Sequence, residues 1–278
     1  MDNEFKVNNC LRDGTGLKFW RIFLQKFING IKHFDFYKGK KAFRGFKHFK
    51  NVSDYEKGSI VCWNNIAALS KSFAVAQKFS KDENGKDDTG TIFIVETLTA
   101  RDISSISQYQ EEEEVILQPY TYFEVVDVKE NIDKPNFIVL KEISIPRSEK
   151  VVFWVDDKPE DNYEIAYELE IKGYSVVFCT STKMAIKVIE NFRWIVYFTN
   201  ANIKIVTDMV RNEEGKMNYE AGIDLIEEIR MKFHYSDEIM LFCKDITKTS
   251  ENCKKRKLID NFKICNRLKL LREFLNFD

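Results

Sequence analysis

Two spacings of apolar residues alternate along this chain. From Leu17 to Ile31 they fall at Leu17, Trp20, Phe23, Leu24, Phe27, Ile28 and Ile31, the repeat of one helix face. The aromatics of that stripe are expected in a core rather than on a base-stacking surface. Shorter runs follow at strand length: Lys41 to Phe46, Ser59 to Trp63, Thr91 to Glu96 and Phe137 to Ile143. A helix is predicted to open at Ala74 and run to Ser80, and Asp82 to Gly90 reads as a polar loop. Pro146 to Lys150 is the predicted linker.

The pattern then starts afresh. Val151 to Val155 reads as a buried strand ending in Asp156 and Asp157. Ile165, Ala166 and Leu169 mark a helix that Gly173 ends. A strand over Ser175 to Cys179, a helix over Thr182 to Ile195 and a strand over Ile203 to Arg211 come next. A helix over Ala221 to Arg230, a strand over Glu238 to Cys243 and a closing helix over Arg267 to Phe274 complete the half. Strands alternating with helices predict an α/β doubly wound, parallel sheet. Two domains are therefore expected, residues 1–145 and 148–278.

Composition narrows the classes without choosing one. With 278 residues, 44% apolar and 31% charged, the chain can bury two cores. The net charge is -1, and the parts before and after residue 147 carry 22 basic against 21 acidic residues and 21 against 23. Neither is a basic nucleic-acid module, so no nucleic-acid partner is expected. Six scattered cysteines show no metal spacing and read as free thiols. The first residues lack a signal-peptide pattern and no apolar run reaches membrane-spanning length. A cytoplasmic setting without a membrane partner is the expectation. The Lys254–Lys257 basic run reads as a solvated loop.

The candidate chemistry gathers around Glu111, Glu112, Glu113 and Glu114, which run directly into Val-Ile-Leu. If this stretch were all strand, Glu112 and Glu114 would share one face, and at least one should titrate abnormally beside a cleft. Upstream lie Phe43-Arg44-Gly45, then Trp63 through Ser70, then Ala76-Gln-Lys-Phe79. This ordered set resembles the arginine-type mono-ADP-ribosyltransferases, marked by an Arg-Gly strand, a Ser-Thr-Ser strand with a later Ala-x-x-Phe, and Glu-x-Glu. The resemblance spans roughly residues 16–127. It implies an α+β ADP-ribosyltransferase fold, with mixed β-sheets and flanking helices, acting on NAD and on a target protein carrying an acceptor arginine. Glu114 is then the catalytic carboxylate and Glu112 the residue that positions or deprotonates the acceptor. The resemblance places Arg44, Gly45, Ser70 and Phe79 in the NAD-binding set, with Ser70 also counted as catalytic. Counted without gaps, the first serine of the motif falls on Ala68; a two-residue shift would put it at Ser70. An NAD glycohydrolase, with water in place of arginine as acceptor, and an impaired NAD-binding scaffold, favoured by Ala68, stay open as alternatives.

The second half resembles response-regulator receiver domains of flavodoxin-like fold. That likeness implies Mg²⁺ held by Asp156, Asp157 and Asp208, with Asp208 as the phosphoacceptor and a histidine-kinase-type phosphodonor or a docking partner. The hydroxyl and lysine signatures of that family are missing: Phe242 or Cys243 follows the fourth strand. A degenerate receiver serving as a docking surface is the matching alternative.

Overall fold

The computed structural model describes residues 2–47, 49, 52–81, 90–131, 135–198, 202–213, 215–258 and 261–275. The chain divides into two compact units, Met1–Ser144 and Ile145–Asp278.

The first unit runs α1 (Asp2–Asp13), α2 (Leu17–Ile31), β1 (Lys41–Phe46), β2 (Ile60–Trp63), β3 (Ala67–Ser70), α3 (Phe73–Ser80), β4 (Thr91–Glu96), β5 (Arg101–Asp102), β6 (Glu114–Leu117), β7 (Thr121–Lys129) and β8 (Asn136–Ile143). Its strands form one mixed sheet in the order β2-β7-β8-β4-β1-β3-β6-β5. Only β4 and β8 pair in parallel; the other neighbours are antiparallel. β1 and β3 meet at a single residue pair, Phe43 with Ser70, so the sheet has a narrow seam there.

Alternation fills the core. Ala42, Leu69, Val95, Val115, Leu117, Val125 and Leu140 point to one side, and Phe93 collects the rings of Phe46, Phe49, Tyr55 and Trp63 at centroid distances of 5.1 to 5.6 Å. Each such ring pair adds about 0.5–1.5 kcal/mol beyond burial. Gly45 has a different task. A Cβ there would lie 1.8 Å from the carbonyl oxygen of Ala76, so α3 packs on β1 only because residue 45 has no side chain.

The second unit runs β9 (Lys150–Val155), α4 (Tyr163–Ile171), β10 (Ser175–Cys179), α5 (Thr182–Phe198), β11 (Asn202–Asp208), β12 (Arg211–Glu213), β13 (Lys216–Asn218), α6 (Ala221–Phe233), β14 (Ile239–Phe242), α7 (Ile246–Lys255), β15 (Phe262–Cys265) and α8 (Leu268–Phe274). Five strands make an all-parallel sheet in the order β10-β9-β11-β14-β15. Numbered along this unit, that order is 2-1-3-4-5, which reverses direction between the first and third strands. Gly173 ends α4 with a φ of 87°, a left-handed turn that suits glycine.

Several expectations change. The stripe on α2 does pack inward through Leu17, Trp20, Leu24, Phe27 and Ile31, but Phe19 and Ile22 stand outside it and face solvent. The helix is apolar on two sides, and the single-stripe reading covered one. The strand expected to reach Arg211 stops at Asp208, and Arg211 opens the hairpin β12–β13. The helices α1 and α7 and the strand β15 carry too few periodic apolar residues to have been read. The basic run Lys254–Lys257 is exposed as expected, but Lys254 and Lys255 belong to α7 rather than a loop, and Arg256 just beyond its end bonds to Glu220, Asp224 and Glu227. Most of the predicted polar loop, residues 82–89, lies outside the described residues. Cys179, Cys243, Cys253 and Cys265 are buried free thiols, while Cys10 and Cys62 are partly exposed. No described helix is long and apolar enough to cross a membrane.

Candidate active site at the sheet seam

The site of the first unit is built where the sheet narrows. Phe43 of β1 is the cross-strand partner of Ser70, and Ser70 is the partner of Glu114 on β6. Directly opposed residues of antiparallel strands present their side chains to one face, so Ser70 and Glu114 are neighbours by register. Ala68 is paired with Ile116, one full side-chain repeat deeper. The residue across from Glu114 is thus Ser70, not Ala68, a register that favours the shifted count over the gap-free one. In the approach to α3, the Ser70 hydroxyl accepts a hydrogen bond from the Ser72 N–H at 2.9 Å.

The glutamate run is not one strand. Gln110–Glu112 is a turn of 3-10 helix, Glu113 takes a left-handed conformation at φ 47°, and only Glu114 begins β6. The expectation that Glu112 and Glu114 share a strand face therefore fails. A turn, rather than strand alternation, brings the two together. Their proximity shows in charge: burial, then Glu114 and Glu111, pushes the Glu112 carboxyl above its ordinary range. Glu114 accepts a hydrogen bond from the Ser107 hydroxyl, and its carbonyl accepts the Ile103 N–H at 3.1 Å. Ser107 was absent from the candidate set; its position at the end of the Ile103–Ser107 turn was the available signal.

A clamp holds the same turn. The Lys71 N–H donates to the Glu113 carbonyl at 3.1 Å, and the Lys71 ammonium lies 2.6 Å from Asp102 and 2.9 Å from the Ser104 hydroxyl. Burial raises the Asp102 carboxyl, but the hydrogen bonds from Lys71 and Ser104 outweigh it and hold the group below its ordinary value. Beside this clamp opens a cavity of about 420 Å³ lined by Asp35, Tyr37, Lys71, Asp102 and Ser104. Arg44 follows Phe43 on β1, and its guanidinium lies 4.8 Å from the Phe46 ring centre and 5.8 Å from that of Trp63. Alternation sets it with Ala42 and Phe46, while Phe43 faces Ser70. Phe79 is half-exposed on α3.

The second unit gathers its acids at the carboxyl ends of β9 and β11. Ligand oxygens of Asp156, Asp157 and Asp208 lie within 4.8 Å of one another. Three carboxylates suit a hard cation, and these are the residues that would hold one. Each also has protein partners. Asp156 accepts the Lys158 N–H and the Asn162 amide, and Asp157 accepts the Asn212 N–H. Asp208 accepts from the Arg211 guanidinium at 2.7 Å.

Arg211 is fully buried, and its guanidinium has partners at each nitrogen. They are Glu213 at 3.0 Å, Thr207 at 2.6 Å, the Asp208 carbonyl at 3.1 Å, Thr182 at 2.7 Å and the Ala221 carbonyl at 2.8 Å. One guanidinium ties the end of β11 to β12 and to the first turns of α5 and α6. Burial pushes the Asp208 carboxyl up to about 8, against the pull of Arg211 and with a further push from Asp156. Burial also raises Asp156. Sequence reasoning did not single out Arg211. A cation three residues past a strand-end acid, directly after Met209-Val210, was the only sign of it.

Residues 23–148 match the family of NAD:arginine ADP-ribosyltransferases. Among solved structures, the chain is similar to the ADP-ribosyltransferase Vis bound to an inhibitor, at 19% identity over 51% of this chain and 68% of that one, with a TM-score of 0.43. The Vis toxin, an ADP-ribosyltransferase from Vibrio splendidus, gives 18% identity over 51% of this chain and 68% of that one, with a TM-score of 0.41. Exoenzyme S from Pseudomonas aeruginosa, in complex with human 14-3-3 protein beta and bound to carba-NAD, gives 21% identity over 51% and 68%, also at 0.41. No curated protein matches the chain.

Proposed function

We infer that the N-terminal unit, which contains all but the last four residues of the 23–148 match to the ADP-ribosyltransferase family, is an NAD-dependent mono-ADP-ribosyltransferase acting on arginine of a target protein. The observation that carries this reading is the cross-strand pair of Ser70 and Glu114, with Glu112 delivered to the same carboxylate by a turn. In the reaction the bond between ribose C1′ and the nicotinamide nitrogen breaks, and its electron pair leaves with neutral nicotinamide. Positive charge builds on the ribose, and Glu114 beside it stabilises that charge. A bond then forms from a guanidine nitrogen of the acceptor to C1′, and the proton lost from that nitrogen goes to Glu112.

The environment of each acid fits its role. Ser107 orients Glu114 with a neutral hydroxyl and leaves its negative charge available. Glu112, whose carboxyl is raised by burial and by its neighbours, is a better base than an ordinary glutamate. Arg44 is assigned to the NAD phosphates, since a guanidinium matches phosphate oxygens two at a time; its side chain starts from the β1 face opposite Ser70 and has to reach past the strand to meet them. Gly45 is assigned to packing α3 against β1, for the steric reason given above. Phe79, on the same helix, keeps its place in the NAD-binding set.

For the second unit we propose a receiver-like docking module. Its parallel strand order and its acids at the β9 and β11 ends support this. The Arg211 bond to Asp208 weighs against phosphoryl transfer to that carboxylate.

The test is incubation of the full chain with labelled NAD and agmatine or polyarginine. Transfer of label with release of nicotinamide is expected. Release of free ADP-ribose without labelled acceptor would instead make the unit a glycohydrolase, and no nicotinamide at all would make it a scaffold.

A further inference from the structure

The helix α2 buries one apolar face and displays another. Inward, Leu17, Trp20, Leu24, Phe27 and Ile31 pack with Val7, Leu11, Ile66 and Ile116. Outward, Phe19 is 90% and Ile22 69% exposed, and Phe23 on the flank is 47% exposed. Single exposed apolar residues are ordinary. Two large ones a helical turn apart, on a helix already anchored by its opposite side, form an unpartnered face.

Charge selects what covers it. Every charged residue between Leu17 and Ile31 is a cation: Lys18, Arg21 and Lys26, all exposed. At 100° per residue, Lys26 falls between Phe19 and Ile22, and Lys18 and then Arg21 follow on the far side of Ile22. Next to this face lies a cavity of about 590 Å³ lined by Leu11, Leu17, Leu24 and Tyr120, with Lys18 and Arg21 also contributing to its wall. Aromatic and aliphatic side chains set among cations, with no acid on the helix, match the interface of an anionic bilayer, where phosphates lie just above the acyl chains.

We propose that α2 docks the N-terminal unit on an anionic phospholipid surface. Phe19 and Ile22 enter the headgroup layer, Lys18, Arg21 and Lys26 meet lipid phosphates, and the neighbouring apolar cavity receives a displaced acyl segment. At 15 residues the helix is too short to span a bilayer, so it lies in the interface. The sequence expectation of no membrane partner rested on the lack of a spanning run and did not test this case. The proposal rests on α2 alone and is independent of the transfer reaction.

The experiment is sedimentation of the full chain with vesicles of phosphatidylcholine, with and without phosphatidylglycerol. Three cations at the surface predict a preference on the order of 100-fold for the anionic vesicles, weakening as salt is raised. Phe19→Ser with Ile22→Ser should lower binding about tenfold or more while leaving the unfolding transition unchanged. A second variant, Lys18→Gln with Arg21→Gln and Lys26→Gln, should abolish the preference for anionic lipid. Equal partition to both vesicle types, or no binding, overturns the proposal. So does a concentration-dependent dimer that the double serine variant dissolves in the absence of vesicle binding, because the face would then be a contact between copies.

Discussion

The two units place carboxylates at strand ends in opposite ways. At the seam of the first sheet, Glu114 is held by the Ser107 hydroxyl and faces Ser70 across the strand pair. At the end of the second sheet, Asp208 is held by the buried guanidinium of Arg211. A hydroxyl orients a carboxylate without neutralising it, so the charge stays available for a cation that develops during a reaction. The buried guanidinium ties its acid inside the fold, where burial pushes the Asp208 carboxyl up to about 8, so that group is not left as a free charge for a reacting cation. The same residue chemistry thus reads as a working group in one unit and as a structural tie in the other.

The sharpest way to break that contrast is to remove Arg211. Arg211→Met leaves Asp208 and Glu213 without their buried partner, and losing one member of a buried pair costs about 3–5 kcal/mol. The unfolding midpoint of the full chain in urea should fall accordingly. A midpoint left unchanged would mean that Arg211 is not the tie described here.

Next in size is the effect at the seam. Glu114→Gln should slow nicotinamide release by about 10²–10³-fold, the usual loss when one charge-stabilising group is removed, with little change in the urea midpoint. Glu112→Gln should lose labelling of agmatine while retaining part of the hydrolysis of NAD. Equal losses of both activities in both variants would end the division of roles.

The register offers a finer test. Ser70→Ala should lower activity severalfold, a hydrogen bond being worth ~1 kcal/mol. Ala68→Ser should not raise it, because Ala68 is opposite Ile116. A gain from Ala68→Ser would restore the gap-free alignment and count against the pairing of Ser70 with Glu114.

The last test is a slope with pH. Burial pushes the folded Asp208 carboxyl up to about 8 against the pull of Arg211, whereas an unfolded aspartate titrates near its ordinary value of 3.8. Between those values the folded state binds more protons, so stability falls as pH rises from about 4 to about 8. Asp208→Asn should flatten that part of the curve, measured by urea unfolding in the presence of a chelator. A slope that survives the substitution must come from another group.

What the sequence determined about this protein is its set of locally coded elements. Helix spacing in α2, strand-length apolar runs and the glycine after α4 depend on neighbours within a few residues, and those rules place most elements near where they lie. The order of Arg44, Ser70 and Glu112-x-Glu114 along the chain was legible for the same reason. The alternating strands and helices of the second half announced a parallel sheet.

Tertiary structure decided the rest. Whether Ala68 or Ser70 meets Glu114 depends on the pairing of β3 with β6, more than forty residues apart in sequence, and no count along one strand can fix it. The meeting of Glu112 with Glu114 depends on a left-handed Glu113, which strand alternation does not foresee. Arg211 looked like the end of a strand until the backbone left β11 and returned its side chain to Asp208. Which apolar side of α2 is covered was settled by α1 and the residues around Ile66 and Ile116, because burial belongs to the packed pair and not to either partner alone.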